Sequence, residues 1–381
     1  MGRRSNGEGT LCKRKDGRWM AQAYVTLPNG TTKRICITNR DYETAKKNLR
    51  DTLNQEHRSI PFVEKVWTVG EYLDYWLREV QQNRIRETTM IMYRLTVSKH
   101  IKPVLAGHKL KTLSVPDVRN AMNALEKRGC PVRTRQKCLQ ILSTCINNAM
   151  REELVFRNVA QLVERPKYMP KETTIWTAEQ AAVFLEANQD HPHFVAFFLF
   201  LTYGMRRGEV LGLRWSDIDF GNNVIHVRQQ IDRINGRIVA RDLKTKNSRR
   251  NLPLIGELRT VLLEYANKHG IAIEKFNPQC EISVQNTIIA SRVGTPMEPK
   301  NLERCFHILR KNAGLPRITI HAMRHTAATM LKDLNVPLKD VQLILGHADI
   351  ATTANIYQHG TSEAQRVALS AVGGRLLAKP S

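Results

Sequence analysis

The hydrophobic period changes along this chain, and that change restricts it to a string of unlike folding units. Over residues 9–38 apolar and polar positions alternate in two runs, Trp19–Thr26 and 31–38, joined by Leu27-Pro28-Asn29-Gly30. Alternation puts every second side chain on one face of a strand, and Asn-Gly between two such runs signals a hairpin. A third strand near Leu11 and Cys12 enters through the turn Lys15-Asp16-Gly17-Arg18. Residues 41–53 then read as a helix, with Tyr42, Ala45, Leu49 and Leu53 on one side. After a linker over 60–65 the period becomes helical: Thr68 caps a run in which Tyr72, Leu73, Trp76, Leu77 and Val80 recur every third or fourth position. The same spacing continues through 88–100, Val115–Lys127 and 134–152 and ends near Val163, predicting a bundle of about four helices.

A second break, Arg165-Pro166-Lys167-Tyr168-Met169-Pro170-Lys171, has the prolines and charges of an exposed connector. Beyond it a helix over 177–187 is capped by Thr177 with Gln180 three residues on, and an apolar helix follows near Phe194. Strands are expected at Val224–Val227, 237–240 and 250–254, before the chain returns to helices. The predicted fold is multidomain α+β. A three-stranded sheet with one helix (1–60) precedes an all-α bundle (66–165) and a mixed, mostly helical domain with a small antiparallel sheet (172–381).

The formal net charge of +24 is spread over the whole length, which points to a polyanionic partner. Membrane binding would need a basic amphipathic helix or an apolar span, and the strongest apolar run, residues 194–203, is half as long as the roughly 20 residues that cross a bilayer. The N-terminus lacks the apolar stretch of a signal peptide. Seven cysteines, Cys12, Cys36, Cys130, Cys138, Cys145, Cys280 and Cys305, are odd in number and never spaced as C-x-x-C, so they read as reduced core thiols of a cytoplasmic protein. Cys138 and Cys145, seven apart, fall on one helix face. In the first domain Lys13, Arg14, Lys15, Arg18, Lys33, Arg34 and Arg40 concentrate on strands and turns, where a sheet face fits a DNA groove; a passive basic surface is the alternative.

Four segments of the last domain carry side chains suited to phosphodiester chemistry: 202–209 (Thr-Tyr-Gly-Met-Arg-Arg-Gly-Glu), 243–246 (Leu-Lys-Thr-Lys), 321–326 (His-Ala-Met-Arg-His-Thr), and Leu345-Gly346-His347 followed by Ile356-Tyr357. Arginine forks neutralise non-bridging phosphate oxygens, a tyrosine hydroxyl is a nucleophile, and a lysine can protonate a leaving oxygen. Taken singly each has a plain alternative. Arg206 beside Arg207 can be a solvated face, Lys244 a turn residue, His347 a satisfied cap and Tyr357 a packing residue. His321 and His325 have zinc-helix spacing, but Ala322 stands where that motif needs Glu.

In this order, the segments resemble the tyrosine recombinase (phage integrase) family. The resemblance implies Arg206 and Arg324 as phosphate-clamping arginines, with Glu209 orienting Arg206. It implies His321 in proton transfer or phosphate binding, His347 on the phosphate, and Lys244 as general acid with Lys246 as the alternative. Tyr357 would be the nucleophile and His325 a packing residue. It further implies site-specific cutting and rejoining of double-stranded DNA through a 3′-phosphotyrosine and a Holliday junction, without metal, nucleotide or other cofactor. The first domain would bind arm sites, the other two the core site. A homotetramer would form on DNA, aided by an accessory bending protein or excisionase, in the cytoplasm of a bacterial host and away from membranes. A tail bearing Val367, Leu369, Val372 and Leu376 would dock on a neighbouring subunit or on its own domain. Two rivals are a metal-dependent nuclease, needing clustered carboxylates, and a non-catalytic DNA-binding regulator.

Overall fold

The computed structural model describes residues 9–26, 31–57, 66–169, 173–243, 248–276 and 282–347, with Ile350 and Ala354. The chain divides into two compact units, Met1–Pro170 and Lys171–Ser381.

The first unit opens with β1 (Thr10–Lys13), β2 (Trp19–Thr26) and β3 (Thr32–Asn39), an antiparallel meander in the order β1-β2-β3, followed by α1 (Tyr42–His57). Pairing sets Ala21 opposite Ile37, Ala23 opposite Ile35 and Val25 opposite Lys33. The alternation therefore turns Ala23, Val25, Ile35 and Ile37 toward Leu49 and Leu53 of α1, a small core. The connecting residues 27–30 lie outside the described residues.

The rest of this unit is helical. Thr68 and Glu71 form the reciprocal box that starts α2 (Val69–Tyr75), which runs on through a wide π turn, Trp76–Val80. The helix expected at 88–100 is α3 (Glu87–Thr96) prolonged by a second π turn, Val97–Ile101, into α4 (Lys102–Leu105). Then come α5 (Val115–Lys127) and α6 (Val132–Arg151), which share a core with Tyr72, Leu73, Trp76 and Ile101. Cys138 and Cys145 are both in that core, and burial pushes the Cys138 thiol up to about 12 and the Cys145 thiol upward as well. The expectation of core thiols fails elsewhere: Cys36 is exposed and Cys12, Cys130 and Cys305 are only partly covered, while Cys280 lies outside the described residues. Cys36 alternates with the inward Ile35 and Ile37, so strand geometry turns it out.

The second unit begins with α7 (Ala178–Glu186), boxed by Thr177 and Gln180, and the apolar α8 (Phe194–Thr202). Next are α9 (Arg207–Gly212), β4 (Ile218–Asp219), β5 (Val224–Val227), β6 (Gln229–Ile234), β7 (Arg237–Asp242) and β8 (Arg250–Pro253). The chain closes with α10 (Gly256–Lys268), α11 (Pro299–Asn312), α12 (Ile320–Asp333) and α13 (Leu338–Leu345). Its core centres on α8, with Trp176, Phe184, Phe197 and Phe306 in ring contact at 5.1–6.0 Å between centroids.

The single central sheet expected here is two among the described residues: β4-β5-β8, and a separate hairpin β6-β7. The strand β6 escaped the pattern because Gln229, Gln230, Asp232 and Arg233 make it look like a loop. It is ordered by contacts that only folding supplies: buried Gln229 donates Nε2 to the carbonyls of Gly212 and Ser283, both at 2.8 Å. Its hairpin turns at Asn235-Gly236, both at positive φ (49° and 80°). The helix α9 lies directly on β6, and a Cβ on Gly212 would fall 2.9 Å from Gln230 Cα. In α13, Val341 and Leu345 are buried with Ala328, whereas Leu343 is exposed.

Candidate active site

The site is built around one buried carboxylate. Arg206 caps α9, and Glu209, 1% exposed, answers it three residues on. The Arg206 backbone N–H donates to Glu209 Oε2 (2.9 Å) and Nη1 to Oε1 (2.7 Å). Its Nη2 donates to the Gly346 carbonyl at 2.9 Å. Arg250, at the start of β8, donates Nη2 to the same Glu209 Oε2 (3.0 Å), Nε to the Ile344 carbonyl (2.8 Å) and Nη1 to the Ser248 carbonyl (3.0 Å). Burial alone would raise the Glu209 carboxyl, but Arg250 and then Arg206 outweigh it and hold it below the usual range.

Arg324 projects from α12 and is 3% exposed. Its Nη1 donates to the Gly204 carbonyl at 2.6 Å, while its buried Nη2 has no hydrogen-bond partner among the described residues. Gly204 sits at φ 58°, with Leu345 Cδ2 2.5 Å from where a Cβ would stand, so the approach of this turn to α13 requires glycine. Burial, then Arg206 and Arg250, push the Arg324 guanidinium down to about 9 against the pull of Glu209, leaving it charged at neutral pH.

The helix α12 starts at Thr319, whose hydroxyl accepts from the Ala322 N–H. His321 lies one turn before Arg324 on the open side; partial burial, His325, Arg324 and Arg206 all lower its pKa. The ring of half-buried His325 stands edge-on to that of His321, 5.1 Å away. Gly346 ends α13 in the left-handed conformation (φ 68°), which turns His347 back over the site. Burial first, then Arg324, Arg206, His325 and Arg250, bring His347 down to about 4. Both histidines are thus neutral at pH 7.

Of the residues expected to act, Arg206, His321, Arg324 and His347 meet here from three helices that are distant in sequence. Lys244, its alternative Lys246 and Tyr357 lie outside the described residues, as does the tail. Arg250 was not anticipated. The available signal was its phase on β8, where it shares the inward face with buried Leu252. The first-unit cations do not form one face. Arg34 lies beside Tyr24 on the uncovered face of the sheet and is hydrogen-bonded to Gln22. Lys33, in phase with Ile35, is on the α1 side, and Lys13 lies over the Trp19 ring at 5.9 Å. Arg14, Lys15 and Arg18 gather at the β1-β2 turn, and Arg40 precedes α1.

Arg206 and Arg250 bond Glu209, whose charge also acts on Arg324, so among the described residues three guanidiniums stand around one carboxylate, with the side chains of Arg250 and Arg324 buried and that of Arg206 partly open to solvent. Surplus positive charge that is partly buried favours an anionic partner with paired acceptor oxygens. The acids that a nuclease would need are otherwise engaged: Asp217 with Arg214 (2.9 Å), Asp242 with Arg249 (2.8 Å) and Asp219 with Asn222 (2.8 Å).

Residues 173–364 match the model of the phage integrase family, and residues 68–125 that of the phage integrase N-terminal SAM-like domain. A tyrosine recombinase XerC-like protein of Caldanaerobacter subterraneus subsp. tengcongensis is 27% identical over 343 residues, 84% of this chain and 86% of the relative. Among solved structures, the Tn1549 transposon integrase in complex with circular intermediate DNA aligns with a TM-score of 0.67 at 22% identity, covering 80% of this chain and 99% of that one. A lambda integrase tetramer bound to a Holliday junction aligns at 0.58 and 18% identity, over 93% and 96%. These two likenesses establish the fold. The family match runs through every segment that meets at Glu209, and the chain belongs to the phage integrase family of tyrosine recombinases.

Proposed function

We propose that this protein cuts and rejoins DNA at specific sites with Tyr357 as nucleophile and Arg206 and Arg324 as the clamp on the scissile phosphate, integrating or excising phage or mobile-element DNA. The observation that carries the clamp is the buried Arg324 Nη2, unpartnered among the described residues, in a site where the arginines outnumber the carboxylates. A non-bridging phosphate oxygen would satisfy that N–H and offset the charge. Negative charge that builds on the phosphorus oxygens in the transition state is then met by dipoles and cations already in place.

In the forward step the Tyr357 oxygen bonds to phosphorus and the bond to the 5′ oxygen breaks, leaving a 3′-phosphotyrosine. His321, neutral at pH 7, accepts the phenolic proton, and Lys244, or Lys246, donates one to the departing 5′ oxygen. His347, also neutral, donates an N–H to the phosphate without adding charge. The 5′-hydroxyl of a partner strand reverses the step, so the bond energy is conserved through a Holliday junction and no nucleotide is consumed.

Residues 1–60 form the arm-binding domain, 66–165 the core-binding domain and 172–381 the catalytic domain. The basic residues 13, 14, 15, 18, 33, 34 and 40 serve arm DNA, and two linked DNA-binding parts gain from effective concentration. A homotetramer assembles on the DNA, with an accessory bending protein or excisionase, in the bacterial cytoplasm. The solved lambda integrase tetramer on a Holliday junction supports the tetramer on DNA.

The test is a duplex carrying the attachment site, read from the junctions of the integrated element, with a bridging phosphorothiolate at the scissile position to trap the covalent state. Wild type yields a slow-migrating protein–DNA adduct that persists in excess chelator. Tyr357→Phe yields none, and Arg324→Ala loses about 100-fold or more in adduct rate while binding the duplex within a few-fold of wild type. Adduct formed by Tyr357→Phe at the wild-type rate would overturn the assignment.

A further inference from the structure

We propose that Arg250 is a positioning residue for strand cleavage, tying the carboxylate that orients Arg206 to the end of the helix that delivers His347. The inference rests on the phosphate-clamp reading above but assigns a residue outside it.

One guanidinium joins three parts of the chain. Through Nη2 it holds Glu209 on α9, through Nε the Ile344 carbonyl on α13, and through Nη1 the Ser248 carbonyl beside its own strand. Its side chain is 7% exposed, so it is not poised in solvent as a surface contact for DNA. The last carbonyls of a helix have no partner within it and carry the negative end of the helix dipole. At α13 two of them are met by arginines, Ile344 by Arg250 and Gly346 by Arg206, and these arginines also share Glu209. The point where the chain leaves α13 is therefore registered against Arg206 through a closed set of charge-assisted bonds. His347 follows directly, and Tyr357 lies ten residues further on.

Gly346 supplies an independent sign of how tight this junction is. A Cβ there would stand 2.8 Å from Arg250 Nη1 and 3.1 Å from Cζ, so the helix end and the guanidinium fit only without a side chain. A lysine could not replace Arg250. It has one nitrogen on a flexible stem, where this site uses three nitrogens of a rigid plane.

The experiment compares Arg250→Gln, Arg250→Lys and Gly346→Ala with wild type in the full chain, on the same phosphorothiolate duplex at saturating protein. Displacements near 1 Å cost on the order of 100-fold in a positioned reaction. Arg250→Gln is therefore expected to slow adduct formation about 100-fold with the dissociation constant for DNA changed less than about 3-fold, and Arg250→Lys to recover only a small part. The phosphorothiolate leaving group needs no proton, so a loss that persists on it reflects placement and not acid catalysis. If Arg250 acts through Glu209, the double variant Glu209→Gln with Arg250→Gln is no slower than the slower single one, whereas independent structural damage multiplies. Gly346→Ala, which crowds the same junction from the other side, should reproduce the rate loss with DNA binding kept. Wild-type adduct rates in Arg250→Gln, or multiplicative losses in the double variant, would overturn the proposal. Arg324→Ala and Tyr357→Phe are run alongside: if they too leave the adduct unchanged, the clamp reading fails, and if they abolish it while Arg250→Gln does not, only the role of Arg250 fails.

Discussion

At the scale of single residues, Arg324 keeps one buried N–H without a partner among the described residues, and a donor left so costs about 1–3 kcal/mol, more when it is charged. The same charge field acts on His347, whose pKa of about 4 is far below the ordinary 6.5 because of burial and the arginines around it. The consequence for stability has a definite sign. Between about pH 6.5 and 4 the unfolded chain binds a proton that folded His347 refuses, so its contribution is intact above 6.5 and is lost as pH falls toward 4. Half-buried His193, also near 4, adds in the same direction. Melting temperatures of the DNA-free protein are expected to fall between pH 7 and 5, with a shallower slope in His347→Gln. An equal slope in that variant would exclude His347 from the effect.

At the scale of elements, the site depends on how closely α9 can lie on β6. Gly212 touches the β6 backbone, and its missing side chain sets that distance: a Cβ would lie 2.9 Å from Gln230 Cα and 3.0 Å from the Gln229 carbonyl oxygen. Gly212→Ala should cost roughly 1–3 kcal/mol in denaturant unfolding, the usual penalty for overpacking. Because Arg206 caps this same helix, the adduct rate should fall with it, although no group that touches DNA has changed. A variant as stable and as active as wild type would show that α9 and β6 can separate freely. The C-terminal end of α13 is the companion case, where Gly346 and Arg250 leave no room between them.

At the scale of the whole molecule, a charge of +24 makes DNA affinity an electrostatic matter. If this charge neutralises on the order of 6–10 phosphates, binding weakens about 10³–10⁵-fold between 50 and 200 mM salt. The logarithm of the binding constant measured against the logarithm of salt should then be linear with a slope of roughly −5 or steeper. A flat dependence would assign the basic residues to solubility instead of DNA. The placement of Arg34 apart from Lys33 on opposite faces of β3 shows that only part of the basic surface in the first unit can meet one groove at a time.

Much of the architecture was legible because it is written in local period and caps. The boxes at Thr68 and Thr177, the strand alternation from Trp19 to Thr26, and the left-handed Gly346 each follow from interactions within a few residues. The arginine and histidine motifs were picked out by their resemblance to a family, and Arg206, His321, Arg324 and His347 do meet at one place, while Tyr357 lies outside the described residues. The local pattern did not single out β6, whose buried Gln229 is satisfied by the distant carbonyls of Gly212 and Ser283, or Arg250, which looks like one more basic residue until its phase on β8 turns it inward. Local rules decide which segments become helices and strands. Which guanidinium meets which distant carbonyl is decided by contacts across more than a hundred residues, Arg206 to Gly346 and Arg324 to Gly204, and those exist only once the chain has closed on itself.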